Sequence, residues 1–219
     1  MLTYRVLAAL LAYPEAETLA ALDEGAQIIE REGLVPPREC AALAELSRSL
    51  RSGDLLDAQE RYVALFDRRR SVSLHLYEHV HGESRDRGQA MVRLAQLYRL
   101  HGLEIAAREL PDYLPLYLEF LSVLPEAAAW RFLAEALPLV AAIGERLRRW
   151  QSPYAALFDA LVAMVGDAPA EAVALPDDDA APGALDREWE EEEVSFMGAA
   201  PAGAEERSPV RAAAAHGVA

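Results

Sequence analysis

DYLPLYLEFLSVLP, residues 112–125, sets apolar or aromatic side chains at Tyr113, Leu114, Leu116, Tyr117, Leu118, Phe120 and Leu121, and after Asp112 its only charge is Glu119. A half-buried strand would alternate polar and apolar positions, and a surface helix would keep a polar stripe. This segment does neither, so it reads as a helix covered by other helices, bounded by Pro111 and Pro125. Its position in the middle of a bundle predicts an all-α fold.

The neighbouring sequence supplies the cover. Apolar residues recur at helical spacing in Val6, Leu7, Leu10 and Leu11, then in Leu19, Leu22, Ile28 and Ile29 before a GLVPP break at Gly33 to Pro37. Leu43, Leu46 and Leu50 follow, then a Ser52-Gly53-Asp54 turn and a helix carrying Leu55, Leu56, Tyr62, Val63, Leu65 and Phe66. Ser84 reads as the N-cap of a helix that Gly102 closes, and further helical patterns fill residues 127–150 and 154–165. Hydrophobic residues make up 53% of the chain through Ala and Leu rather than β-branched types, which favours helices over strands.

The expected architecture is a single bundle of short helices over residues 1–170 and an acidic, largely disordered tail over residues 171–219. From Pro176 the sequence turns rich in Ala, Gly, Pro and carboxylates, too poor in apolar surface to offset the entropy of ordering. Trp189, Val194 and Phe196 interrupt the carboxylates as a short binding motif would; the tail is also a candidate occupant of any basic-peptide site.

With a net charge of −15, the chain would repel a phosphate backbone, which excludes general nucleic-acid binding and favours a basic partner. Cys40 is the only cysteine, so neither an internal disulfide nor a thiolate zinc cluster can form. The first apolar run follows a single Arg5 and precedes Glu15 and Glu17, reading as an amphipathic helix ended near Pro14 rather than a signal core. No apolar stretch reads as a membrane span, and the expected location is the cytoplasm.

Residues 73–92, SLHLYEHVHGESRDRGQAMV, gather His75, Glu78, His79, His81, Glu83, Arg85, Asp86 and Arg87 around a bend at Gly82. Within them His75-Leu76-Tyr77-Glu78-His79 fits H-x-x-E-H, where two histidines hold zinc and the glutamate activates water; a zinc hydrolase is one reading. A second is an anion seat at the arginines of the following helix. The third is an ion-pair and hydrogen-bond network that fixes the bend, with Glu83, Asp86 and Glu78 offsetting Arg85 and Arg87, whose charge opposes the helix dipole.

Three stretches together resemble the respiratory nitrate reductase assembly chaperones, the delta-subunit family: RYVALFD (61–67), SLHLYEHVHGESRDRGQAMVRL (73–94) and ELPDYLPLYLEFLSVLP (109–125). Tyr62-x-x-Leu65-Phe66 and Glu109-x-Pro111-Asp112-Tyr113 are similar to patterns of the wider all-helical group that binds twin-arginine leader peptides of molybdenum enzymes. In many of those relatives His stands where this chain has Tyr113, so a role needing an imidazole there does not carry over. The run from Asp186 to Phe196 also resembles the tail of this family.

The resemblance implies a cytoplasmic, non-enzymatic helper with no cofactor of its own. It would bind the N-terminal, leader-like segment of the nitrate reductase catalytic (alpha) subunit. That would keep the apo-subunit open for molybdenum cofactor and iron-sulfur cluster insertion before membrane attachment. Molybdenum cofactor biosynthesis proteins are further candidate partners, and an adaptor docking helices of an unrelated protein is the rival in the binding class. A basic peptide with apolar anchors needs an apolar groove rimmed by carboxylates. Tyr62, Leu65 and Phe66 are the candidate lining, with Tyr113 beside them, although Leu65 and Phe66 also fit a plain core. Asp67, Glu109 and Asp112 are the candidate rim, while Pro111 ends one helix and leaves Asp112 to cap the next.

Overall fold

A computed structural model describes residues 1–82, 84–105 and 109–166. The expected tail, its Asp186 to Phe196 motif, the boundary at residue 170 and Glu83 lie outside the described residues.

Among the described residues ten α-helices follow one another: α1 (Leu2–Leu11), α2 (Ala16–Ala20), α3 (Leu22–Glu32), α4 (Pro37–Leu50), α5 (Leu55–Tyr62), α6 (Leu76–His81), α7 (Arg85–Leu100), α8 (Leu114–Val123), α9 (Glu126–Arg149) and α10 (Ala155–Val165). Among the described residues there is no strand, only an isolated antiparallel bridge between His75 and Tyr113. The all-α expectation holds.

Local chemistry sets the helix limits. Gly33 takes the left-handed φ of 65° that ends α3, and Pro37 opens α4 where a missing N–H loses nothing. Asp54 and Asp57 form a capping box on α5: the Asp57 N–H donates to Asp54 Oδ1 at 2.9 Å and the Asp54 N–H to Asp57 Oδ2 at 3.1 Å. Ser84 is the N-cap of α7 by position, yet its side chain makes no capping bond. Gly102, at φ +78°, follows the last turn of α7 as the sequence suggests.

α8 runs through the interior, with Leu114, Leu118 and Leu121 wholly buried. α1 packs on α8 and α3, and α10 packs on α9 and α4. The α9–α10 pair is close because Gly144 has no side chain: a Cβ there would lie 2.8 Å from Phe158 Cβ. By length and composition alone α9 could cross a membrane, contrary to the expectation that no segment reads so. Leu133, Val140, Ile143 and Leu147 on it are wholly buried, which assigns its apolarity to the core.

Between α5 and α6 the chain departs from α geometry. Val63–Asp67 forms one π-helical turn, closed by the Arg68 N–H donating to the Val63 carbonyl at 3.1 Å, and a 3-10 turn covers Arg70–Val72. The wider turn carries Val63 to Asp67 of the RYVALFD stretch, and such turns are frequent at functional sites.

Candidate functional site

The two sequence blocks around residues 75 and 112 meet in space. The Leu114 N–H donates to the Leu74 carbonyl at 2.8 Å and the Leu76 N–H to the Asp112 carbonyl at 3.0 Å, forming the bridge that seats His75 opposite Tyr113. Their rings lie 5.5 Å apart, centre to centre. Tyr98 on α7 fastens the far side of the loop, its hydroxyl donating to the Pro111 carbonyl at 2.7 Å.

Asp112 is fully buried, so it is no rim residue, and it does not cap α8, whose N-cap is Tyr113 without a side-chain capping bond. Its carboxylate reaches across to α6 instead. Oδ2 accepts from the Tyr77 N–H at 3.1 Å, one of the free donors of the first turn of α6, and Oδ1 accepts from His75 Nδ1 at 3.3 Å. Arg87 Nη2 lies 3.7 Å from Oδ2. Burial pushes the Asp112 carboxyl up, but His75, the Tyr77 N–H and Arg87 outweigh it and hold it below the ordinary carboxylate value.

The compensation for Arg87 at the start of α7 therefore comes from Asp112, not from Glu78 or Asp86. Glu78 accepts from Ser73 Oγ at 2.6 Å and lies 3.4 Å from Arg70 Nε, while Arg85 and Asp86 are exposed.

The zinc reading loses its geometry here. His75 is the extended N-cap of α6 rather than part of the helix, so it does not share a helical face with His79. Its Nδ1 is turned to Asp112, and His79 Nε2 donates to the Ser73 carbonyl at 2.8 Å. Among the described residues no group of three His, Cys, Asp or Glu side chains converges as a metal site. Burial pushes the His79 imidazole below its usual value, so the ring is neutral at pH 7. His81 packs edge-on against Tyr77 with ring centres 5.7 Å apart.

On the other side of Tyr113 stands Tyr62. The hydroxyls are 3.0 Å apart, and Tyr62 Oη also lies 3.1 Å from the Leu11 carbonyl. A carbonyl can only accept, so the Tyr62 proton points to Leu11 and Tyr113 donates to Tyr62. Tyr13, just past α1, sits perpendicular to Tyr62 at 5.6 Å and is 43% exposed. The Tyr113 hydroxyl is pushed up by burial first, drawn back by its bond to Tyr62, and pushed up again by the negative charges of Glu109 and Asp67.

Tyr62, Leu65 and Phe66 are all buried, so they support this surface rather than form it. The exposed face consists of Tyr13, the partly open His75 and Tyr113, Asp67 and Glu109, with Leu110 exposed beside Glu109. Leu65 lines a cleft bounded by the α9–α10 loop, and Tyr113 is not part of that lining. Tyr13 escaped the sequence reading; an aromatic directly before Pro14, where α1 has ended, was the available signal. As for the tail as occupant, Asp67 and Glu109 carry its own sign, so charge gives no reason for it.

A family model described as nitrate reductase delta subunit matches residues 35–160. The chain is 45% identical over 202 residues to the nitrate reductase molybdenum cofactor assembly chaperone NarJ of Escherichia coli (strain K12), covering 90% of this chain and 86% of the relative. It is 43% identical over 198 residues to the probable nitrate reductase molybdenum cofactor assembly chaperone NarW of the same strain, covering 88% and 83%. With the probable nitrate reductase molybdenum cofactor assembly chaperone NarJ of Bacillus subtilis (strain 168) it shares 32% over 163 residues, covering 74% and 87%.

Proposed function

The chain belongs to the nitrate reductase delta subunit family, and from that premise we propose that it is an assembly chaperone for nitrate reductase, a binding protein and not an enzyme. Its client is the catalytic subunit of that enzyme, held in the cytoplasm by its N-terminal, leader-like segment while the molybdenum cofactor and an iron-sulfur cluster enter, before membrane attachment. Molybdenum cofactor biosynthesis proteins are the partners that would deliver the cofactor. Residues 1–170 form the chaperone domain, and residues 171–219 form an acidic tail.

The observation that carries the reading is the pairing of an open aromatic surface with two carboxylates on a fixed frame. Tyr13 and Tyr113 offer apolar area to a peptide, and Asp67 and Glu109 offer opposite charge to its basic residues. The frame beneath is locked by the His75–Tyr113 bridge and the buried Asp112, so little ordering is left to do on binding. Asp112, His75, Glu78 and His79 each bond within the fold, which suits a supporting frame.

The test is nitrate reductase made with and without this chain. The expected result is a catalytic subunit that accumulates without it at normal level but lacks molybdenum, and regains the metal when the chain is supplied. Full molybdenum occupancy in its absence would overturn the proposal.

A further inference from the structure

α1 and α3 run antiparallel. Glu32, the last residue of α3, accepts from the Leu2 N–H at 2.7 Å and the Thr3 N–H at 2.8 Å. Midway the two helices close together because Gly25 has no side chain: a Cβ there would lie 2.9 Å from Val6 Cγ1. With α2 at the end near Leu10 they bound a groove of about 400 Å³. Leu2, Val6, Ala9, Leu22 and Ile28 line it, Leu2 being 48% exposed and Ala9 exposed as well. From Leu2 to Leu10 it follows α1 for about 12 Å, about two helical turns.

The core does not use this face of α1. Thr3, Tyr4, Leu7, Ala8, Leu10 and Leu11 are its buried residues, and Arg5 is its only charge. Leu2, Val6 and Ala9, spaced by four and three, remain as an apolar stripe that no other element fully covers. The charged residues at the groove are Arg5, Glu17 and Glu24, and neither carboxylate is in an ion pair among the described residues. From Glu15 to Glu24 the chain holds four carboxylates and no cation; of these Asp23 alone is paired, with Arg51 at 2.7 Å. Leu10, at one end of the groove, precedes Tyr13 by three residues, so the client surface begins at most about 11 Å away along the chain.

We propose that this groove seats a short amphipathic helix of the client, about two turns long, adjoining the segment held at Tyr113. Its apolar side chains, one turn apart, pack on Leu2, Val6 and Ile28, and the small Ala9 lets its backbone come close. Basic residues beside those anchors meet Glu17 and Glu24, which the fold leaves unpaired. Charge selects this occupant: an acidic helix would face both carboxylates with its own sign. Arg5 is the one group that works against a basic partner, so its removal strengthens the contact. The assignment to the client rests on the chaperone reading; the kind of peptide rests on the groove alone.

Two peptides probe the groove by two-dimensional NMR of the full-length chain. One is the N-terminal peptide of the catalytic subunit; the other is a model helix with leucines on one face and lysines opposite, unrelated to the client. The expected result with both is a saturable shift at the amides of Val6, Ala9 and Gly25, and none with a model helix carrying glutamates for lysines. Ala9→Arg fills the groove with charge and should weaken both peptides about tenfold while the shift of Tyr113 with the client peptide persists. Glu24→Gln should weaken them about threefold and Arg5→Gln strengthen them about as much. These positions are exposed on helices, and thermal melts show that each variant is folded. A groove silent to both peptides, one that takes the glutamate helix equally well, or affinities unchanged in Ala9→Arg and Glu24→Gln overturns the site, and a Tyr113 response to the client peptide then leaves the chaperone reading standing. A response to the model helix without one to the client peptide keeps the groove as a seat for basic amphipathic helices and removes the client.

Discussion

The hydroxyl of Tyr113 donates to that of Tyr62 at 3.0 Å, and Tyr62 passes its own proton to the Leu11 carbonyl, 3.1 Å away. The order of donors makes the pair unequal. Tyr62→Phe leaves both the Leu11 carbonyl and the Tyr113 hydroxyl without that partner and should cost about 1–2 kcal/mol, while Tyr113→Phe leaves Tyr62 satisfied and should cost about half as much. Urea unfolding of both single variants and the double variant checks this, with a coupling of about 0.5 kcal/mol or more expected.

Asp112→Asn keeps the shape of a fully buried side chain and removes the charge that His75 and Arg87 face. The expected loss is about 2–3 kcal/mol. Because the folded carboxyl lies below its ordinary value, this stabilisation is present above the unfolded value of about 4 and disappears as pH falls through the folded one. Unfolding free energies of parent and variant should therefore converge on acidification below pH 4. A difference independent of pH would contradict the charge assignment.

His79 has the opposite charge type and the same sign of slope. Burial lowers its folded value, so the unfolded chain takes up a proton first and stability falls as pH drops through the unfolded value of about 6.5. His79→Gln can keep the bond to the Ser73 carbonyl without a titrating ring, and its stability should change less between pH 7 and pH 5 than that of the parent. Chemical denaturation at the two pH values measures the difference.

The α9–α10 connection is built as a glycine-type helix end with Gln151 in the glycine seat. The Gln151 N–H donates to the Arg148 carbonyl at 3.0 Å and the Ser152 N–H to the Leu147 carbonyl at 2.9 Å. Gln151→Gly should raise stability by about 0.5–1 kcal/mol, read as a higher urea midpoint with unchanged slope.

Helical periodicity and the all-apolar stretch at residues 112–125 were enough to read the bundle, because burial of a helix depends on side chains that neighbour one another in sequence. Gly33, Gly102 and Pro37 marked their boundaries for the same local reason. The site was legible only in part. Asp67 and Glu109 fall on the exposed side as expected, but Asp112 looked like a cap for its own helix and instead caps α6, a contact between residues 35 positions apart. H-x-x-E-H suggested a shared helical face, and α6 starting one residue later removes it. A π-helical turn has no periodic signature of its own, so the separation of Leu65 from Tyr62 and Asp67 was hidden, as was Tyr13, which reaches Tyr62 from just beyond the end of α1.

The central claim is that the surface around Tyr113 grips the basic, leading end of the nitrate reductase catalytic subunit. Titration calorimetry of the full-length chain with a synthetic peptide of that N-terminus tests it most directly, using a scrambled peptide and two salt concentrations. Binding should exceed that of the scrambled sequence, weaken as salt rises, and weaken again by about threefold to tenfold in Asp67→Asn and Glu109→Gln. Equal affinity for both peptides, or an affinity indifferent to salt and to both substitutions, would contradict it.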